Sequence, residues 1–337
     1  MGIHDRFLVL DAHSDMLNDV LPKRTSGRRN VIDEDWLPVM KKGGIDVRVV
    51  AIFSDIAYVP ELVLRRGLDL VATLYEEVGE SSNLILCTEF SDIRQAKEEG
   101  KIGFILGMEG AEPLGKDIRL LRIFYTLGLR VLGLTHAMRN YAGDGAFFVP
   151  TKTGKVGGLS DFGLELIEEA NKLGIVIDVS HLNIPGFWDV IENTKALFIA
   201  SHSNCQALFE HPRNLTDEQI KAVAEKGGVI GINAVSALVD DGEKATLGRL
   251  LDHLDHIISV GGINSAGLGF DFCDYLPKYL SEDERKRLPG ISAVQGLSGD
   301  AEVFKVTEEL VKRGYKDEEI ELILGKNFLR VFQEVWK

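Results

Sequence analysis

The sequence predicts an α/β protein folded as a single (β/α)8 TIM barrel: eight parallel strands closed on themselves inside a ring of helices. Three observations predict it. Short apolar runs, β-branched and apolar on both faces, recur at 7–11, 47–53, 103–108, 130–135, 174–179, 197–201, 228–233 and 266–270, as expected of strands covered by helices. Amphipathic stretches at 59–79, 117–127, 159–173, 216–226 and 245–260 separate them with helical periodicity. A tally of eight favours a closed barrel over an open, doubly wound sheet. The 337 residues are 45% hydrophobic, enough for one large core. No repeat, low-complexity tract or Pro/Ser-rich linker divides them, so 1–337 reads as one domain.

Each element has its own signature. The first run, Phe7-Leu8-Val9-Leu10, ends in Asp11-Ala12-His13-Ser14-Asp15. Residues 18–45, rich in charge and glycine, read as a long functional loop. The charged segment 91–100 reads as a helix leading into the third strand, which ends at Glu109 between Gly107 and Gly110. Residues 137–157, with Gly143-Asp144-Gly145 and Pro150, read as a second functional loop. After 270 the pattern changes to a loop over 275–299 with Pro277 and Pro289, then a C-terminal helical extension from about 300 through Trp336.

The chemistry lies where strands end. In a strand, residues two apart point the same way, so His13 and Asp15 can face one point in space. An imidazole and a carboxylate converging there suit a divalent metal such as zinc. The placement then repeats: Glu109, His136, His181, His202 and Asp271 each lie at or just past the C-terminal edge of a predicted strand. Singly, each histidine is more often a hydrogen-bonded core or loop residue. As a set, four of the eight histidines and three carboxylates converge on one mouth of a barrel, where such folds build their sites. The inventory exceeds one structural zinc and fits two metals with Glu109 between them. His253 and His256, three apart on a helix, are assigned to the outer ring and not to a metal. His4 and His211 read as surface or loop residues. The clusters 282–284 and 317–319 read as helix starts, where carboxylates complement the dipole.

Composition excludes other classes. A net charge of −14 and pI near 5.1 speak against nucleic acid, which wants clustered Lys and Arg. Cys87, Cys205 and Cys273 have no short spacing, so neither a disulfide framework nor a Cys-type zinc site follows. They fit a reducing compartment as small buried thiols. The first residues are too short and too charged to open a signal peptide. No apolar stretch reaches the ~18–20 residues of a membrane span. The expectation is a soluble, cytoplasmic protein without a membrane partner, with a homodimer left open.

At this point the residues resemble the renal (membrane) dipeptidase family, zinc-dependent peptidases of the metal-dependent hydrolase superfamily. The matches are Asp11-Ala12-His13-Ser14-Asp15, Gly107-Met108-Glu109-Gly110, Leu134-Thr135-His136 and Gly158-Leu159-Ser160-Asp161-Phe162-Gly163. They continue in the same order with Ile177-Asp178-Val179-Ser180-His181, Ser201-His202-Ser203, His211-Pro212-Arg213-Asn214, Gly269-Phe270-Asp271-Phe272 and Asn327-Phe328-Leu329-Arg330-Val331-Phe332. The resemblance spans roughly 7–335 and is weak over 18–45 and 275–299.

It implies roles at those positions. His13, Asp15 and Glu109 would bind one zinc, and Glu109, His181 and His202 the other, with a hydroxide bridging the two ions as nucleophile. Asp271 would be general base and acid, His136 would hold the carbonyl or the developing oxyanion, and Arg213 would grip the substrate carboxylate. Asp11 would support the site or cap a turn. The implied substrate is a dipeptide with a free C-terminal carboxylate, L-Xaa-D-Xaa included. The chain departs from the family's usual residues at Ala12, Ser14, Ala137, Asn233-Ala234-Val235 and Phe270-Asp271-Phe272-Cys273-Asp274, none of them an implied metal ligand. These departures bear on side-chain specificity. Two rivals share the scaffold: an amidohydrolase acting on N-acyl amino acids, cyclic amides or lactones, and a silent binding protein, against which the full ligand set argues.

Overall fold

Alternating apolar runs and amphipathic stretches become alternating strands and helices. The computed structural model describes residues 2–148, 153–279 and 292–337. Its strands are β1 (Leu10–Ser14), β2 (Val47–Phe53), β3 (Leu84–Leu86), β4 (Ile102–Glu109), β5 (Leu129–Gly133), β6 (Val176–Asp178), β7 (Phe198–Ala200), β8 (Val229–Ile232) and β9 (Ala266–Leu268). All pairings between them are parallel, in the ring β1–β2–β4–β5–β6–β7–β8–β9–β1. Eight strands therefore close the predicted barrel. The ninth, β3, is absent from the sequence reading. It pairs only with Ile102–Phe104 at the start of β4, before β5 takes over that edge at Leu106.

Period-two alternation assigns the two faces. Leu10, Ala12, Val47, Val49, Ile105, Val131, Val176, Ile199 and Val229 form one buried cluster with Phe328, Val331 and Phe332 of the last helix, Asn327–Val335. This cluster fills the barrel interior, and that helix plugs its floor. A larger cluster lies between the barrel and the surrounding helices. The floor is tight: a Cβ on Gly267 would come within 2.4 Å of the Phe328 ring.

Several expectations need correction. β1 starts three residues later than the apolar run and contains Asp11 and His13, because these polar side chains are buried and belong to the strand. Residues 18–45 are not a loop. They hold the helices Leu17–Thr25 and Leu37–Gly43, joined through a π-turn at Ile32–Trp36. Their charge misled because it is paired internally: Arg24 is buried against Glu77 and also meets Glu80 at 2.8 Å, both on the helix Val63–Glu80. The helix Ile184–Asn193 has no counterpart in the sequence reading. His4 is not a surface residue. Its ring bridges Thr307 Oγ1 (2.7 Å) and Gly43 O (2.8 Å), pinning the start of the chain to the C-terminal extension. The segment 282–284 and residues 280–291 of the 275–299 loop, Pro289 among them, lie outside the described residues, as does Pro150. The cluster 317–319 does start a helix, Asp317–Glu321.

Candidate metal centre

The barrel presents its polar residues at the C-terminal mouth. Glu109 is the last residue of β4, on the inward row of Ile105 and Gly107, and is 7% exposed. His13 stands where β1 slips register against β2 between Asp11 and Ser14, a kink that re-aims side chains at a sheet's rim. His181 and Asp271 follow β6 and β9 in left-handed backbone, at φ 69° and 56°. Non-glycine residues rarely hold that conformation, and such strain collects at functional sites.

Neighbouring polar groups lock these loops. Asp178 Oδ1 accepts from the backbone N–H of both Ser180 and Ser201 at 2.9 Å, tying the His181 and His202 loops together. Ser201 Oγ donates to Asp178 Oδ2 (2.5 Å) and so accepts from His202 Nδ1 (2.6 Å). That places the His202 proton on Nδ1 and turns the Nε2 lone pair toward the centre, as a metal ligand requires. Close packing supports the arrangement: a Cβ on Gly269 would lie 1.7 Å from Ser201 O.

The ligand atoms converge. Glu109 Oε1 lies 2.8 Å from His181 Nε2, 3.3 Å from His202 Nε2 and 3.5 Å from His13 Nε2. His13 Nε2 lies 3.9 Å from Asp15 Oδ2 and 3.8 Å from Asp271 Oδ1. Ligands of a tetrahedral zinc with bonds of about 2.0–2.1 Å sit about 3.3 Å apart, within the observed spread. Three overlapping groups can hold an ion: His13–Glu109–His202, Glu109–His136–His181 and His13–Asp15–Asp271. Glu109 belongs to two of them, as a shared carboxylate must. Among the described residues the buried atoms His13 Nε2, Asp15 Oδ1 and Glu109 Oε2 have no hydrogen-bond partner. A buried polar atom left so is costly, and a divalent cation removes the cost. The residues therefore fit a metal.

The electrostatics agree. Burial by itself lowers the His13 imidazole, but Glu109, Asp15 and Asp271 outweigh it and carry it up to about 10. Burial lifts Glu109 well above the usual carboxylate range, Asp15 adding to the effect, and lifts Asp271 as well. Burial and Arg213 hold His181 well below its usual value, and burial with His13 does so for His202. His136 falls to about 3 through burial and the Arg213 charge. Without a cation, protons are favoured on Glu109, Asp271 and His13. A metal displaces those protons.

Arg213 is only 4% exposed and donates from Nη2 to His202 O (3.1 Å). Among the described residues it forms no ion pair. Burial lowers it to about 10. It borders a cavity of about 250 Å³ that shares the His181 wall and is lined by apolar groups, including Phe147, Val179, Ile184 and Leu215, together with the polar Asn183, Ser203, Gln206 and Gln219. Phe53 and Phe148 flank the His136 ring, at 4.7 and 5.6 Å between centroids.

The sequence model of the membrane dipeptidase family, peptidase family M19, matches residues 1–337. The chain belongs to this family. A Klebsiella pneumoniae protein, known as an uncharacterised protein in the pqqA 5′ region, is 31% identical over 275 residues, 79% of this chain and 95% of that one. A metallopeptidase from Rhodobacter sphaeroides, liganded with a phosphinate mimic of the dipeptide L-Ala-D-Ala, superposes with a TM-score of 0.85 at 26% identity, over 98% of this chain and 99% of that one. The dipeptidase AC, a metallopeptidase of the same family, does so with a TM-score of 0.84 at 26% identity and the same coverage. Membership makes the chain a metal-dependent hydrolase.

All eight sequence-predicted residues of this M19 chain, His13, Asp15, Glu109, His136, His181, His202, Arg213 and Asp271, gather at the mouth. His253 does not. It is buried in the helix Leu247–Gly261, with Nδ1 accepting from Cys205 N (3.1 Å) and Nε2 bound to Val239 O (2.9 Å). Cys273 lines the centre, its thiol 3.1 Å from Asp271 O, whereas Cys205 is an inert buried thiol. The sequence reading missed Asp178, Ser201, Asn233 and Phe148. The first three share the signal that found the ligands, a polar residue at the end of an apolar strand. Phe148 carried none. Among the described residues no helix is long and apolar enough to cross a membrane.

Proposed function

We propose that the chain hydrolyses dipeptides bearing a free C-terminal carboxylate at a site for two zinc ions, with His13, Asp15 and Glu109 holding one and Glu109, His181 and His202 the other. When bound, the metal supplies Lewis acidity and makes water acidic enough to attack a carbonyl at neutral pH. The chain's own residues do the rest. Asp271, raised by burial, is suited to take a proton from the attacking water and to return it to the departing amine near neutrality. His136, neutral because burial disfavours its charge, offers an N–H to the carbonyl oxygen as negative charge develops there. Arg213 presents a planar fork to the substrate carboxylate. The cavity beside it, part apolar and part polar, receives the C-terminal side chain.

One observation carries this reading: a buried arginine that forms no ion pair among the described residues stands beside a buried cluster of metal-type ligands. A cation held dry and unpaired is expensive, and a substrate carboxylate completes it. The Rhodobacter sphaeroides structure, with its mimic of L-Ala-D-Ala, supports counting D-residues among the C-terminal partners. The test is turnover of the zinc-loaded protein on L-L and L-D dipeptides, their C-terminal amides, N-acetyl amino acids and lactones. Cleavage of free dipeptides with amides much slower is expected. Activity confined to N-acyl amino acids or lactones would overturn the dipeptide reading.

A further inference from the structure

Asn233 sits directly after β8 and is fully buried. Its Nδ2 donates to Asp271 Oδ2 at 3.0 Å. The amide cannot be turned the other way, because its Oδ1 accepts the Val235 N–H at 2.7 Å and only oxygen can do that. Asn233 is itself held on both backbone sides by Asn204, whose Oδ1 accepts from Asn233 N (3.0 Å) and whose Nδ2 donates to Asn233 O (2.9 Å). Asn204 Nδ2 also reaches Leu238 O (3.2 Å), which anchors the segment after β8. The result is a rigid relay of two buried amides that ends on one oxygen of one carboxyl group.

We infer that Asn233 is a positioning residue for hydrolysis: it occupies Asp271 Oδ2 as an acceptor and thereby assigns proton carriage to Oδ1, the oxygen that faces His13 at 3.8 Å. The inference rests on the proposed role of Asp271 in moving the proton. An N–H donor at Oδ2 makes that oxygen the acceptor of the carboxyl group and so favours Oδ1 as the carrier of the hydrogen. Oδ1 is also the atom that Cys273 Sγ approaches at 3.6 Å, while Asp271 itself stands in left-handed backbone. A carboxylate on a strained loop needs a partner to choose one rotamer. Asn233 is the side-chain amide that supplies it. The proton then travels between water and the leaving amine through a single, fixed atom. Without the amide, the carboxyl rotates and either oxygen can hold the proton, away from the reacting atoms as well as toward them.

Two variants test this in the zinc-loaded full chain. Asn233→Asp keeps the acceptor for Val235 N–H and replaces the amide donor by a second carboxyl group against Asp271. Asn233→Ala removes both without adding charge. A hydrogen bond to a charged group predicts a fall in kcat of roughly 10- to 100-fold, with KM within about threefold and zinc content unchanged. In an Asp271→Asn background the same changes should cost less than about threefold more, because the carboxyl they serve is gone. Retained kcat in either variant, full additivity with Asp271→Asn, or a loss tracking lost zinc would overturn the inference. A crystal structure of Asn233→Ala supplies a readout independent of turnover. Asp271 Oδ1 should leave its position near His13 Nε2, and an unmoved carboxyl would refute the positioning role even if wild type cleaved no dipeptide. Wild-type failure on every dipeptide, with Asp271 displaced in the variant, would instead sink the proposed function alone.

Discussion

Replacing Arg213 with methionine keeps most of the stem's volume and removes the guanidinium. The structure fixes what should follow. Arg213 is buried, makes one hydrogen bond to a backbone carbonyl and forms no ion pair among the described residues. Four of its five N–H donors remain, two of which can meet a carboxylate side by side, and hydrogen bonds to charged groups contribute about 1.5–3 kcal/mol each. Allowing for the reorganisation of water at the site, roughly 3–4 kcal/mol of substrate recognition should disappear, or about 100- to 1,000-fold in kcat/KM. The assay is a cycle of wild type and Arg213→Met against a dipeptide and its C-terminal amide. Wild type should discriminate between acid and amide by roughly two orders of magnitude, and the variant should hardly discriminate at all. Stability should move the other way. The folded protein disfavours this charge, lowering it to about 10 by burial, so the metal-free variant should melt at the same temperature or higher. A variant that still prefers the acid by the wild-type factor would refute the argument, whatever its absolute activity.

The remaining predictions concern the centre and its support. His181→Ala should lower zinc content and abolish turnover, whereas Asp271→Asn should keep zinc and lose most of kcat; metal analysis beside kinetics separates them, and zinc loss in Asp271→Asn with restored turnover on reloading would reverse its role. His253 belongs to none of the ligand groups and is pushed to about 4, chiefly by burial. A histidine depressed from 6.5 stabilises the fold above its unfolded pKa, and that contribution is lost as pH falls through 6.5 toward 4. Its protonation would also break the bond from Cys205 N. The His253 contribution amounts to about 2 kcal/mol between pH 7.5 and 5, read as the extra acid sensitivity of wild type over His253→Asn in urea titrations. Arg48 is 1% exposed and holds both Asp11 (Nε to Oδ2, 3.1 Å) and Asp300 (Nη1 to Oδ2, 2.8 Å). Arg48→Met strands two buried carboxylates and should cost roughly 3–5 kcal/mol in the same titrations at neutral pH; a loss below 1 kcal/mol, taken as about the worth of an exposed pair, would contradict it.

The ligand set was legible because one physical rule generates it. A parallel barrel buries its strands in apolar surroundings, so a polar residue at a strand's C-terminal end is conspicuous in sequence. Glu109, His136, His181, His202 and Asp271 all follow that rule. Asn233 and Asp178 follow it equally, yet a polar residue at a strand end says nothing of whether it binds metal or holds a neighbour that does. That distinction is made by hydrogen-bond direction, which sequence does not carry. The helix Leu17–Thr25 was illegible for a different reason. Its Arg24 reads as solvated charge, but the partners that bury it lie more than fifty positions on, in Glu77 and Glu80.

By itself, then, the chain's pattern determined the barrel, the end of it that does chemistry and the residue types gathered there, because burial and strand periodicity are local properties. Only the three-dimensional arrangement decided that Glu109 Oε1 lies within 3.5 Å of three imidazoles, that His202 carries its proton on Nδ1, that Arg213 forms no ion pair among the described residues and that Asp271 is held by Asn233. Those are relations between atoms brought together from distant parts of the chain, and they are fixed by packing rather than by any residue's own preference.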